Sequence, residues 1–168
     1  MAKLIWLNGE YIREMSSERF YELSIHALTR AGLETGKYST DYVKAALDTC
    51  KGKVKLFSEL PAYGGFYFTD EIQYDPEAAS RELVPENKPR LLKLREALAK
   101  LEPFDADAIG NALKATAQEL GIKPGLLVHP TRLACCGKTA GPSLYHLLEI
   151  LGRERALLRL DRALALIA

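Results

Sequence analysis

The sequence predicts a mainly α-helical protein, a bundle or cage of two packed helical subdomains. Three observations carry that reading. From Ser16 onward, the apolar residues of almost every segment recur at the spacing of a helix with one buried face. Ser, Asp, Pro and Gly stand where helices start and stop. With 48% hydrophobic and 27% charged residues, the 168-residue chain is of ordinary globular composition, long enough for one good core or two small ones side by side.

In chain order, LIWLNGEYI alternates weakly and holds the turn signal Asn8-Gly9, which predicts a small N-terminal hairpin or a loop packed on the first helix. Ser16 or Ser17 caps SERFYELSIHALTRAGL, whose Phe20, Leu23, Ala27 and Leu28 share a face and whose end is marked by Gly32. Ser39, Thr40 and Asp41 start a longer helix, DYVKAALDTCKGKVKLFSEL, which Pro61 is expected to stop. The aromatic PAYGGFYF follows, and the polar TDEIQYDP breaks the pattern, which sets a subdomain boundary there. Pro76 opens the next helix, Leu91, Leu94, Leu98 and Leu101 form the stripe of another, and Asp105 caps a third that Gly121 ends. The Leu-rich LYHLLEIL and RERALLRLDRALALI close the chain, broken at Gly152.

Several function classes are set aside. No apolar run approaches the roughly 20 residues that span a bilayer, and the N-terminal stretch has Trp, Asn and Glu where a secretory signal needs an apolar core, so a cytosolic protein is expected. Three cysteines, Cys50, Cys135 and Cys136, make no disulfide framework. Cys135 and Cys136 follow His129 at roughly two helical turns, but Pro130 interrupts them and core packing explains them as well as nucleophilic chemistry does. His26, His129 and His146 are scattered, without the convergent spacing of a zinc site. Phosphate-loop, dinucleotide, nucleophile-elbow and HExxH motifs are absent.

A net charge of +1 gives no global signature of nucleic-acid binding, so any such footprint is local. Lys51, Lys53 and Lys55 form one concentration, Lys88, Arg90, Lys93 and Arg95 a second, and Arg132 with Lys138 a third. Each is read either as a solvated face or, if the fold gathers them, as a surface for a phosphate backbone. Tyr63, Phe66, Tyr67 and Tyr145 are available to stack unpaired bases, or to fill a core.

KLIWLNGEYIR, KGKVKLFSELPAYGGFYF and HPTRLACCGKTAGPSLYHLLEILGRERALLRL together resemble, in order and spacing, the carboxy-terminal anticodon-binding region of bacterial glutamyl-tRNA synthetases. The resemblance covers essentially the whole chain, and its HPxR…G…PxL…LLxxLGxER pattern is the specific part. It implies a non-catalytic module that binds the anticodon loop of glutamate tRNA, with residues 1–73 as the junction on the stem-contact side and 74–168 as the distal anticodon-binding subdomain. The HIGH and KMSKS motifs do not occur, so ATP, Mg and glutamate sites are expected upstream in a catalytic domain of the same synthetase. Independently of the resemblance, a monomer without membrane attachment is expected, because the C-terminal Leu stripes can be buried within the chain. Arg132, Gly141, Pro142 and Leu144 carry over as the floor under the anticodon bases, with His129 beside them and Lys53 as a reader of the third base. Lys53 stands where Arg is common, Gly141 where Ser or Thr is common, and Cys135-Cys136 where Leu-Thr is typical. An alternative is a helical protein-interaction module that kept the fold and lost RNA binding. For Arg132 itself, the alternative is an ion pair with Glu149.

Overall fold

A computed structural model describes residues 2–168, and every regular element among them is helical. The chain divides into two compact units, one up to Glu71 and one from Ile72 to Ala168.

The first unit contains α1 (Ala2–Glu14), α2 (Ser17–Arg30), α3 (Thr40–Lys51) and α4 (Leu60–Gly64), with single 3-10 turns at Thr35–Lys37, Phe57–Glu59 and Gly65–Phe68. The expected hairpin is corrected, because Asn8-Gly9 lies inside α1. Here the pair serves close approach rather than a turn. A Cβ at Gly9 would stand 3.1 Å from Lys55 Cγ, and the Asn8 side-chain amide donates to the Lys55 carbonyl. The Ser16 hydroxyl accepts the Arg19 amide at 3.3 Å and caps α2, and Ser39 does the same for α3 with Tyr42 at 3.2 Å.

The helix predicted to run to Pro61 ends at Lys51 instead. Gly52 stands at its C-cap, and the amides of Lys53 and Val54 turn back to the Cys50 carbonyl; beyond it the Glu59 carboxylate accepts the amides of Lys55 at 2.7 Å and Leu56 at 3.2 Å and so organises a new helical start. Pro61 then occupies the first turn of α4, where its missing N–H leaves no helix bond unmade. Ile12, Phe20, Leu28, Leu60 and Tyr67 are fully buried in this unit, and Phe20 packs on Phe57 with ring centroids 5.7 Å apart. Burying each such side chain contributes about 1.5–3 kcal/mol against the cost of ordering the chain.

The second unit contains α5 (Pro76–Glu82), a 3-10 turn at Pro85–Asn87, α6 (Lys88–Ala99), α7 (Ala106–Glu119), α8 (Gly125–Cys136) and α9 (Leu144–Leu166). Asp75 and Asp105 cap α5 and α7, accepting the amides of Ala78 at 2.7 Å and Ala108 at 2.8 Å. α9 packs on α6, α7 and α8, and the shared core includes Leu91, Leu94, Ile109, Leu113, Leu133 and Leu160. As the sequence places it, α9 is broken at Gly152, which has φ +77° and ψ 161°.

Candidate nucleic-acid interface

Of the residues singled out by the sequence around His129–Leu144, Arg132, Gly141 and Pro142 meet at the corner between α8 and α9, while His129 lies within α8. Pro130 lies within α8, where it has no N–H to give the Leu126 carbonyl. Pro130, Thr131 and the run Leu133–Cys136 are buried, while His129 is exposed and Arg132 half-buried. α8 stops at Gly137, whose φ of +79° is left-handed. A Cβ there would lie 2.2 Å from the Gln73 carbonyl oxygen, and the Asp75 amide donates to the Gly137 carbonyl at 2.8 Å. The end of α8 is thus pinned to the segment entering α5, and only glycine fits at the pin.

Across the following loop, Arg132 Nη1 donates to the Pro142 carbonyl. The guanidinium therefore sits on the loop backbone rather than on Glu149. One N–H is used there, and the other donors of its planar fork make no bond among the described residues. Gly141 lies beside it. A Cβ there would be 3.7 Å from Arg132 Nη1 and 4.0 Å from Cys136 Sγ, which is ordinary contact. Ser143 stands at the start of α9 without a side-chain cap bond, which leaves the amides of the first turn open to a polar ligand.

One expectation for this corner is corrected, and the core reading of the cysteines holds. Leu144 does not offer an apolar floor, because its side chain is 3% exposed and belongs to the core of the unit; Pro142 is buried too. Cys135 and Cys136 are both buried, and Cys136 Sγ donates to the Lys138 carbonyl at 3.3 Å. Burial pushes the Cys135 thiol up to about 12 and raises that of Cys136, so neither supplies a thiolate near neutral pH. Among the described residues, no three His, Cys, Asp or Glu side chains gather into a metal-holding group.

Lys53 lies in the first unit, just past the end of α3, where it is exposed and makes no side-chain bond among the described residues. Its neighbour Lys51 is instead turned onto the Met15 carbonyl. In the second basic concentration all four members have partners inside the protein, which argues against a phosphate-facing surface there. Lys88 Nζ donates to the Ile167 carbonyl at 2.6 Å and Arg90 to Asn87 Oδ1 at 2.7 Å. Lys93 pairs with Glu119 at 3.1 Å, and Arg95 grips Asp161 with two bonds of 2.7 and 2.9 Å. Three of the four aromatic candidates pack against the protein, and Tyr63 is half-buried. Tyr67 is fully buried with Phe66 against it at 4.1 Å, and Tyr145 covers Gly110, where a Cβ would lie 3.5 Å from its ring.

Sequence reasoning missed two arginines that hold the corner's surroundings. Arg159 is 2% exposed, and its Nη1 donates to the Cys135 carbonyl at 2.6 Å, satisfying the last turn of α8. Its signal was present: it falls between Ala156 and Leu160 on the apolar face of α9, where a solvated Arg is out of place. Arg153 donates to the Leu101 carbonyl and to Glu102 at 2.7 Å, fastening the Gly152 break to the loop before α7. Nothing in the sequence marked that role.

This is a helical fold with a preset guanidinium beside a helix start that no side chain caps. The chain belongs to the anticodon-binding domain family, whose model matches residues 19–164. The relatives that resemble it along its length are glutamate–tRNA ligases. It is 38% identical over 165 residues to that of Geobacter sulfurreducens, covering 97% of this chain and 34% of the relative. With that of Moorella thermoacetica it is 36% identical over 165 residues, covering 96% and 34%. The chain therefore spans about a third of the length of the curated relatives it matches. In fold it is similar to a crystallised glutamate tRNA ligase from Elizabethkingia meningosepticum in complex with its amino acid, with a TM-score of 0.85 over 98% of this chain and 32% of that one at 24% identity.

Proposed function

We propose that the chain is the anticodon-reading part of a glutamate–tRNA ligase. It binds the anticodon loop of glutamate tRNA and leaves ATP, Mg and glutamate chemistry to the rest of the enzyme. The observation that carries this is the match to the anticodon-binding family over residues 19–164, which includes every residue assigned to the site. In this reading Arg132 presents its unused N–H groups to a base edge or phosphate, and the amides of the first turn of α9 donate to a second acceptor group of the loop. His129 and Gly141 border that corner, Pro142 fixes it through its carbonyl, and Lys53 contributes one charge from the first unit. Residues 1–73 then serve as the junction and 74–168 as the distal subdomain, in a cytosolic monomer. Among the described residues no helix is long and apolar enough to cross a membrane.

Fluorescence anisotropy with labelled glutamate tRNA, and with the same transcript carrying an altered anticodon, tests the reading. Saturable binding that is weakened by salt and by the altered anticodon is expected, without tRNA glutamylation by the chain alone. Equal binding of the two transcripts defeats anticodon reading. No binding of either leaves the fold as a protein-interaction module.

A further inference from the structure

Of the large apolar side chains exposed among the described residues, four crowd into one short stretch of α1: Leu4 (69% exposed), Trp6 (58%), Leu7 (43%) and Tyr11 (63%). α1 is not a loose helix waiting to find its own core. Ile12 is buried, Gly9 lies against Lys55, and the Asn8 amide holds the Lys55 carbonyl, so one face is already seated. Leu4, Leu7 and Tyr11, at positions i, i+3 and i+7, form a second stripe beside that face, and Trp6 projects on its other flank. A helix seated on one side and still apolar on two others has the pattern of one buried between two bodies.

The kind of body follows from two further observations. α1 lies outside residues 19–164, the extent of the anticodon-binding family, yet the ligase relatives match too much of this chain to leave out its 13 residues. α1 therefore goes with the ligases and not with the anticodon-binding fold as such. Nor does its polar side suit a lipid surface, since Lys3 and Arg13 are balanced by Glu10 and Glu14, and Arg13 pairs with Glu10 at 3.1 Å. We propose that the exposed apolar side chains of α1, Leu4, Leu7 and Tyr11 on one flank and Trp6 on the other, together form a docking surface for the portion of a glutamate–tRNA ligase that this chain does not span. This rests on the functional reading above and adds to it the surface and the chemistry of the contact, which is aromatic and aliphatic side chains closing against an apolar patch.

Trp6 is the only tryptophan of the chain, so 5-fluorotryptophan reports on this surface alone. In the isolated chain its fluorine resonance should show the full shift between light and heavy water that marks an exposed ring. The measurement is repeated on a fused protein in which this chain replaces the matched third of the Geobacter sulfurreducens ligase. Circular dichroism and a single melting transition establish that the fusion is folded, and Trp6→Phe assigns the resonance. Loss of most of the isotope shift is expected there, with at least half of it returning in a Leu4→Ser, Leu7→Ser double variant. Titrating the labelled chain with the remaining two-thirds of that ligase supplied separately gives a second readout, a displaced Trp6 resonance that the double variant lacks. A Trp6 resonance that stays fully exposed in the fusion overturns the proposal. So does shielding that grows with the concentration of the isolated chain, which assigns the stripe to a second copy, or shielding by phosphatidylglycerol vesicles. Glutamate tRNA binding by the isolated chain separates the two readings: bound tRNA with an exposed Trp6 sinks the docking surface alone, whereas a shielded Trp6 without tRNA binding sinks the anticodon reading alone.

Discussion

Arg132 and Lys53 are the two cations assigned to the anticodon loop, one from each unit, and the protein holds them in contrary ways. Arg132 is half-buried, with Nη1 fixed on the Pro142 carbonyl beside a loop that Gly137 pins at its root. Lys53 stands in solvent past the end of α3 without a side-chain partner among the described residues. The contrast separates two kinds of recognition. A guanidinium already oriented loses little further freedom on binding, so in the proposed reading its remaining N–H groups are suited to discriminate between base edges. A mobile ammonium has no preferred geometry and contributes charge, which any phosphate accepts.

The strongest way to break the contrast is to destroy the pin. Gly137→Ala puts a Cβ 2.2 Å from the Gln73 carbonyl oxygen at a φ of +79°, a backbone clash in a conformation that L side chains rarely adopt. A loss of about 3 kcal/mol or more in urea-induced unfolding is expected. Whatever protein remains folded should bind glutamate tRNA more weakly, because the loop that orients Arg132 has moved. Unchanged stability would mean that the close approach of α8's end to Gln73 does not hold the corner.

Next in size is Arg132→Ala, expected to cost about 1–3 kcal/mol in glutamate tRNA affinity by anisotropy if the guanidinium meets a base edge. The lost bond to the Pro142 carbonyl should lower folding stability by only about 0.5–1.5 kcal/mol. Arg132→Lys sharpens the point, since it keeps the charge and loses the fork; it should recover little of the affinity. If Lys restores binding, Arg132 acts as a charge and the distinction from Lys53 disappears.

Those two residues also show what a sequence discloses. Helix starts were legible because a capping Ser or Asp acts within three residues of itself, as Ser16, Ser39, Asp75 and Asp105 do. The break at Gly152 was legible for the same local reason. Asn8-Gly9 misled because its use is tertiary: the glycine admits Lys55, 46 positions away, and no local pattern encodes that. The end of α3 was hidden because the apolar spacing of Val54 and Phe57 carries on past it, and the new start beyond it depends on Glu59 reaching back to two amides. At the candidate site, the cluster at Lys88–Arg95 looked like a phosphate surface because its partners, Ile167, Glu119 and Asp161, lie far along the chain. The resemblance named Arg132 and Leu144, but only the fold shows the first half-buried on a carbonyl and the second turned inward.

Lys53→Ala is expected to have a smaller effect than Arg132→Ala on affinity at low salt, and a distinct one on its salt dependence. The slope of log affinity against log salt should flatten by about 1, the share of one phosphate contact. Lys53→Arg should leave that slope as it is. A slope untouched by Lys53→Ala places the residue outside the RNA contact and leaves the first unit without its assigned cation.

The smallest effect is expected from a cation that has already spent its charge. Arg95 is bonded twice to Asp161, and that hydrogen bonding, with the attraction of the guanidinium, holds the Asp161 carboxyl below its usual range. Because the folded value is the depressed one, the pair's contribution is present above the ordinary carboxylate range and is lost as pH falls through the lowered value. Both side chains are substantially exposed, 33% for Arg95 and 47% for Asp161, so solvent screening limits the contribution to about 0.5 kcal/mol. Urea unfolding followed from pH 7 down to about pH 3 should show that small loss in the native chain and not in Asp161→Asn. For RNA the expectation is sharper. Arg95→Gln should leave both affinity for glutamate tRNA and the salt slope unchanged, since a guanidinium engaged on a carboxylate has little left to offer a phosphate. If Arg95→Gln flattens the slope as Lys53→Ala does, the Asp161 pair opens to bind RNA, and the internal bonds of Lys88, Arg90 and Lys93 no longer argue against a basic surface on the second unit.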